Sequence, residues 1–280
     1  MVTDYRKRLM QFLEDGGISD ARFEADCILK SVLGCTQAEL LMGATLSQES
    51  QWQDCMAIAQ ERVRRVPLQY LLKEWEFYGF PFFVGEGVLI PRADTEVLCE
   101  TAISLIGDQA AVVLDLCAGS GCITVAVGRF CKQASLVAVE CSAKAIPYLK
   151  ANLKRNRVVA EVIEADATLP ETQAVCPRAD FILCNPPYLT AEDMCRLQPE
   201  VTFEPPMALF GGNDGLDFYR ILSSLYKSKL RAGGRIFFEI GRGQHKQVEK
   251  ILVQNGYVQP CAYEDYNHIV RVVSAAVPSK

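Results

Sequence analysis

Histidine is scarce in this chain and closely paired cysteine is absent: His245 and His268 are the only histidines in 280 residues, and no C-x-x-C pair occurs. Without clustered imidazoles or paired thiols, no zinc-type ligand set can be assembled, so no metal site is expected. Many of the twelve cysteines, among them Cys117, Cys122, Cys131 and Cys184, fall inside apolar stretches, where a free thiol behaves as a small hydrophobe. Reduced thiols fit a cytoplasmic protein. Long apolar runs are missing too. None approaches the ~18–20 residues of a membrane span, and the acidic residues of "MVTDYRKRLMQFLEDGG" argue against a signal peptide. Basic excess is also lacking. With a net charge of −5, no global field draws the chain to nucleic acid. What is present, half hydrophobic and 22% charged residues, is the balance of a soluble globular protein, expected here as a cytoplasmic monomer.

Two kinds of pattern divide the chain. Up to about residue 70 apolar residues recur at three- to four-residue spacing: Leu9, Phe12 and Leu13, then Phe23, Cys27 and Ile28, then a stretch from Gln48 to Arg65. Glycines at 16, 17, 34 and 43 punctuate these helices. "EWEFYGFPFFV" (Glu74–Val84) is aromatic and broken by Gly79 and Pro81, which predicts a β-hairpin. From about Ala110 strands alternate with helices. "AVVLDL", "SLVAVE", "VVAEVIEAD", "DFILC" and "GGRIFFEI" read as strands; Ile123–Cys131, Ala143–Arg155, Phe218–Leu230 and Gln244–Gln254 read as helices. That alternation predicts a mostly parallel sheet covered on both faces, and "HIVRVVSA" is expected to return as one antiparallel last strand. The expected spans are a helical domain at 1–72, a hairpin linker at 73–90 and an α/β domain at 91–280.

Three consecutive strands of the α/β region end in groups suited to a ligand. The first runs into Asp115-Leu116-Cys117-Ala118-Gly119-Ser120-Gly121, whose glycines let the chain turn tightly while backbone approaches a bound molecule. The second ends in Glu140, about twenty residues later, where a carboxylate can accept both hydroxyls of a ribose. The third ends at Asp166-Ala167, where side chain and backbone can meet an adenine edge. Such groups gather at the carboxyl edge of a parallel sheet. Jointly they favour an adenosine pocket, for a dinucleotide or for S-adenosylmethionine. The dinucleotide fingerprint wants a third small residue where Thr124 stands, and no Tyr-x-x-x-Lys occurs, which argues against nicotinamide.

The fourth strand, "DFILC", stops at Asn185-Pro186-Pro187-Tyr188. A rigid turn would use the same residues. In this position they also make sense as chemistry. An amide or aromatic amine nitrogen is a poor nucleophile because its lone pair is delocalised. A site that accepts both N–H bonds orients that lone pair and stabilises the positive charge that develops. Asn185 offers a side-chain carbonyl and Pro186 a backbone carbonyl. The prolines fix φ and bring no competing donor. Tyr188 offers a flat face to a planar group.

N-P-P-Y after a D-L-C-A-G-S-G turn resembles class I methyltransferases acting on planar nitrogens. "PLQYLLKEWEFYGFPFFV" (67–84), "VLIPRADTEVL" (88–98) and "PEVTFEPPMALFGGNDGLDFYR" (199–220) further resemble the peptide chain release factor glutamine methyltransferases, over essentially the whole chain. The resemblance implies a class I S-adenosylmethionine-dependent fold, Rossmann-like, with a small all-α N-terminal domain and a hairpin linker. It implies methyl transfer from S-adenosylmethionine, leaving S-adenosylhomocysteine, to the glutamine amide N5 in the Gly-Gly-Gln loop of release factors. The cofactor would be held by Asp115, Cys117, Ala118, Gly119, Ser120, Gly121, Glu140, Asp166, Ala167 and Asn185. The glutamine would be held by Asn185, Pro186, Pro187 and Tyr188 with Arg92 and Glu96 of the I-P-R-x-x-T-E segment, the catalytic set being Asn185, Pro186 and Tyr188. The ribose acid of this family is commonly Asp, so Glu140 implies a slightly shifted cofactor. The N-terminal helices would dock the protein substrate. A sister family that modifies a glutamine of a large-subunit ribosomal protein shares N-P-P-Y but lacks Thr-Glu after I-P-R; Thr95-Glu96 favours the release factor. N6-adenine methylation of nucleic acid is the other alternative, and the acidic chain fits it poorly.

Overall fold

The computed structural model describes residues 2–44, 46 and 48–279. Met1, Thr45, Ser47 and Lys280, which fall in the expected helical and α/β spans, lie outside the described residues. The chain forms two compact units, Met1–Glu74 with Gln198–Phe203, and Trp75–Leu197 with Glu204–Lys280.

The first unit holds α1 (Val2–Asp15), α2 (Ala21–Leu33), α3 (Gln37–Leu41), α4 (Glu49–Val63) and α5 (Leu68–Leu72). Leu9 and Leu13 of α1, Ala25 and Ile28 of α2, and Cys55 and Ala59 of α4 are fully buried, so each helix turns one apolar stripe inward. Phe23 departs from the expected stripe. It is 55% exposed, while Cys27 and Ile28, four and five positions on, are inside. Two charged groups are paired within this unit. Arg6 forks onto Asp26, and Arg62 is held between Glu24 at 2.7 Å and Glu200 at 2.9 Å. Buried guanidinium survives there because both its faces are answered by carboxylate.

The second unit opens with β1 (Glu74–Phe77) and β2 (Phe80–Phe83), joined through Tyr78 and Gly79. Both turn residues have positive φ, the geometry that matches the twist of a two-residue hairpin. Then follow α6 (Asp94–Ile106), β3 (Val112–Leu116), α7 (Cys122–Phe130), β4 (Ser135–Glu140), α8 (Ile146–Arg155), β5 (Glu161–Glu164), α9 (Pro170–Val175), β6 (Ala179–Cys184), α10 (Ala191–Met194), α11 (Asp217–Tyr226), β7 (Leu230–Glu239), α12 (His245–Gln254), β8 (Val258–Glu264) and β9 (Val270–Ala276). The seven strands lie in the order β5-β4-β3-β6-β7-β9-β8, parallel as far as β7 and antiparallel after it. The strand order runs outward in both directions from β3. That reversal opens a crevice beyond the carboxyl ends of β3 and β6, where such sheets bind ligands.

Period-two alternation sorts the strand residues between two cores. Val113 and Leu183 pack with α6, α7 and α8 on one face; Leu114, Leu116, Ile182 and Cys184 pack with α11 and α12 on the other. The antiparallel end holds two strands where the sequence predicts one. β8 is almost wholly exposed and carries Pro260, so it has no buried apolar run to betray it; an edge strand tolerates both features. Helix α11 ends at Tyr226 rather than at Leu230, which already belongs to β7.

Asn152 of α8 ties the hairpin to the sheet. Its side chain, fully buried, donates to the carbonyls of Phe83 (3.0 Å) and Ser120 (2.9 Å) and accepts from Phe83 N–H (2.7 Å). Asn152→Ala leaves three backbone groups without these partners. It is expected to lower stability by about 2–3 kcal/mol, read as a shift of the urea midpoint at unchanged m-value.

Candidate active site

The crevice is built from strand ends. After β3 the chain passes through left-handed backbone at Cys117 (φ 61°), Gly119 (φ 54°) and Gly121 (φ 80°) before α7 begins. A Cβ on Gly121 would come within 2.5 Å of Leu149 Cδ1, so that glycine is needed for turn–helix packing. A Cβ on Gly119 would meet nothing nearer than Cys117 O at 4.0 Å, and would enter open space where Gly119 borders the cavity. Glu140 ends β4, and its carboxylate accepts from the backbone N–H of Gly119 (2.7 Å) and of Ser142 (2.7 Å). The acid thereby sets the shape of two loops at once. Asp166 accepts from Thr168 N–H (2.8 Å) and its hydroxyl (2.7 Å), fixing the turn beyond β5.

A cavity of about 420 Å³ opens among these ends. Of the residues singled out from the sequence, Cys117, Gly119, Glu140, Asp166, Ala167, Asn185 and Pro187 line it. Pro205, Pro206, Met207 and Phe210 line it as well; the sequence marks them only as part of the 199–220 stretch that carries the resemblance, not as site residues.

Other expected residues stand behind the wall. Asp115 is buried, and one of its oxygens accepts from the Thr124 N–H (3.0 Å) and hydroxyl. It holds the first turn of α7 and does not reach the cavity. Burial pushes its carboxyl up to about 7 against those two hydrogen bonds. Ala118, Ser120, Gly121 and Pro186 likewise support the lining without joining it. Arg92 and Glu96 do not enter either. Arg92 pairs with the buried Glu204, which also accepts from Ile90 N–H at 3.0 Å, and this pair anchors the segment leading into Pro205. Glu96 accepts from Tyr78 N–H at 3.0 Å, at the hairpin turn.

The N-P-P-Y segment is fixed from three sides. Asn185 Nδ2 donates to Thr95 Oγ1 at 3.1 Å. Because the amide nitrogen is engaged, the amide oxygen is left to act as an acceptor; no donor reaches it among the described residues. Tyr188 O accepts from Gln244 Nε2 at 3.0 Å. Leu189 N–H donates to Leu209 O (2.8 Å), and Gly211 N–H donates back to Leu189 O (2.9 Å). Tyr188 is half-buried, packed against the core rather than lining the cavity, and burial raises its phenol well above the ordinary value.

One residue at this edge was not singled out from the sequence. Glu239 ends β7 as Glu140 ends β4, and it is almost completely buried. The signal was available: an acid closing an apolar run in "GGRIFFEI" is the same pattern that marked Glu140.

Residues 4–72 match the family model described as PrmC N-terminal domain, and residues 94–198 match Methyltransferase small domain. The methyltransferase from Pyrococcus furiosus superposes with a TM-score of 0.53 at 13% identity, covering 78% of this chain and 98% of that one. That likeness bears on the fold alone, which is the class I S-adenosylmethionine-dependent methyltransferase fold. Relatives reach further. The release factor glutamine methyltransferase of Geobacter sulfurreducens is 37% identical over 95% of this chain and 93% of its own. That of Fusobacterium nucleatum is 35% identical over 97% and 78%. These alignments span the helical unit and the sheet alike, and the chain belongs to the release factor glutamine methyltransferase family.

Proposed function

We propose that this chain transfers a methyl group from S-adenosylmethionine to the side-chain amide N5 of the glutamine in the Gly-Gly-Gln loop of peptide chain release factors. The observation that carries this reading is Asn185. It lines the same cavity as Glu140 and Asp166, with its amide nitrogen already bonded to Thr95 and its oxygen free. A group suited to accept hydrogen bonds from a substrate amide and carboxylates suited to a nucleoside thus line one space.

The residues fit the cofactor. The cavity is within the ~300–1,000 Å³ of small-molecule sites, and it is open where Gly119 would otherwise carry a side chain. Glu140 would take the ribose hydroxyls through the lone pairs that its two backbone donors leave. Asp166 and Ala167 would border the adenine, and the turn from Cys117 to Gly121 the amino-acid end. When bound, the cofactor supplies an electrophilic methyl on a sulfonium. The remaining work belongs to the chain. Asn185 Oδ1 and the Pro186 carbonyl accept the two N–H bonds of the glutamine amide and turn its nitrogen toward the cavity. Positive charge growing on that nitrogen is met by Asn185, already held by Thr95, so little reorganisation of that group accompanies the reaction. No general base is needed beforehand, because an N-methylated, protonated amide loses its proton to water readily. Tyr188, packed against the core, would back this segment rather than line the cavity.

The helical unit, residues 1–72, is the docking surface in this reading, and the enzyme acts as a cytoplasmic monomer. No helix among the described residues is long and apolar enough to cross a membrane. The test is incubation with labelled S-adenosylmethionine and a mixture of purified release factor, large-subunit ribosomal proteins and nucleic acid. Label on the Gly-Gly-Gln glutamine is expected. Label confined to a ribosomal-protein glutamine or to adenine overturns the proposal.

A further inference from the structure

Three of the stretches that border the cavity are tied to one another. Leu89 belongs to residues 89–95, Asn185 and Pro187 to residues 185–189, and Pro205, Met207 and Phe210 to residues 204–211. The first meets the second where Asn185 Nδ2 donates to Thr95 Oγ1 at 3.1 Å. The second meets the third where Leu189 N–H donates to Leu209 O at 2.8 Å and Gly211 N–H donates to Leu189 O at 2.9 Å. The third returns to the first at Glu204. One of its carboxyl oxygens accepts from Ile90 N–H at 3.0 Å, and the other accepts from the Arg92 guanidinium. The links close a ring.

The link at Glu204 is the one made with charge. Glu204 is 3% exposed and both its oxygens are engaged, while the Arg92 side chain reaches solvent. A buried carboxylate matched by a cation adds little net stability, because desolvation offsets the attraction. What such a pair does fix is geometry. Here one carboxylate holds a backbone donor and a cation two positions apart on another stretch. The backbone around it is stiff. Pro91 stands between Ile90 and Arg92, and Pro205 and Pro206 follow Glu204; each proline locks its φ. Little slack separates the carboxylate from Leu89 on one side or from Pro205 and Met207 on the other. A shift at Glu204 is therefore passed to residues that line the cavity rather than absorbed.

We infer that Glu204 is a positioning residue for methyl transfer: by tying Ile90 and Arg92 to the stretch that begins at Pro205, it closes the ring that holds Leu89, Pro205 and, through Thr95, the amide of Asn185. This rests on the substrate reading given above. Glu204 does not itself line the cavity, so it acts through residues that do.

A ring behaves differently from a row of independent supports. Cutting one link lets all three stretches relax, and a second cut finds the constraint already gone. The losses from two cuts then fall short of their product, which is the mark of coupled sites.

The experiment compares wild type, Glu204→Gln, Thr95→Val and the double variant. It measures kcat for methylation of purified release factor, the dissociation constant of S-adenosylmethionine by calorimetry, and a thermal melt. Glutamine keeps the size of Glu204 and an acceptor for Ile90 N–H, but it turns an amide donor toward Arg92. Glu204→Gln is expected to lose about 10²-fold in kcat, as for displacement by about an ångström, and about tenfold in cofactor affinity. The double variant is expected to lose no more than about tenfold beyond the worse single variant. A pair that only stabilised the fold would lower the melting temperature and leave both constants of the folded protein alone. A folded Glu204→Gln protein with kcat and dissociation constant within roughly threefold of wild type overturns the inference. Losses in kcat that multiply in the double variant overturn it too. If Glu204→Gln does not fold, Arg92→Met cuts the same link from its exposed side and replaces it in the comparison, read against the same outcomes. Wild type that labels no release factor removes the substrate reading itself, and this appears before any variant is compared. The cofactor titration of Glu204→Gln then decides the inference alone.

Discussion

Asn185→Ala is expected to lower kcat by about 10²–10³-fold while changing the dissociation constant of S-adenosylmethionine less than tenfold. The side chain does two things in the structure. Its nitrogen is anchored on Thr95, and its oxygen is the group proposed to accept from the substrate amide in the cavity that Asn185 lines. Alanine removes the oxygen and leaves a space that water can enter. An oriented dipole aimed at developing charge is typically worth that factor in other enzymes when deleted singly. The loss should fall on kcat because the interaction strengthens only as the substrate nitrogen becomes positive. Gly119, Glu140 and Asp166, the residues proposed to hold the cofactor, are left in place, so calorimetric titration with S-adenosylmethionine should still show binding. Single-turnover transfer separates the chemical step from product release. A variant that turns over within tenfold of wild type would remove Asn185 from the reaction.

Gly211→Ala is expected to cost about 10²-fold in turnover by displacing groups proposed to hold the substrate rather than by removing one. A Cβ at this position would stand 2.6 Å from Pro187 O and 2.7 Å from Tyr188 Cα. Both are backbone atoms, and they belong to the segment that presents the acceptors. No side-chain rotation relieves such a contact. The hydrogen bonds between Leu189 and residues 209 and 211 hold the two segments together, so the added methyl must push N-P-P-Y as a body. Displacement by about an ångström is enough to cost this much rate, and overpacking of this kind costs about 1–3 kcal/mol in stability. Gly107→Ala provides the comparison. That glycine also needs unusual backbone (φ 54°), but a Cβ there meets nothing within 4 Å. It should lose stability and keep kcat. Equal turnover in the two variants would mean that the contact with Pro187 and Tyr188 is relaxed elsewhere.

The parts of the fold that sequence discloses are those with a local cause. β3, β4 and β6 are legible because a strand buried on both faces must be an unbroken apolar run, as in "VVLDL" and "DFILC". β8 has no such run, since its residues face solvent at the sheet edge. Phe23 misleads for a related reason: helical spacing says which residues share a stripe but not how wide the buried stripe is. The site divides the same way. Gly119, Glu140, Asp166 and Asn185 can be found because strand ends in a parallel sheet converge on one edge. Asp115 sits at such an end as well, yet its carboxylate is committed to Thr124, nine positions on. Arg92 meets Glu204 across 112 residues, and nothing in either neighbourhood announces the other. Glu239 carries the same pattern at the same edge, and its place beside Asn185 appears only once β7 is set against β6.

The six residues Gln198–Phe203 belong with the helical unit although they come from the middle of the α/β chain, and Glu200 among them shares Arg62 with Glu24. The polypeptide therefore crosses between the two units after residues 74, 197 and 203 rather than once. Two modules joined end to end could be traded between genes by a single splice. This arrangement cannot be, because a foreign helical domain would arrive without the hexapeptide that completes it. A chimaera that exchanges residues 1–74 is thus expected to need the acid at position 200 matched to its own arginine.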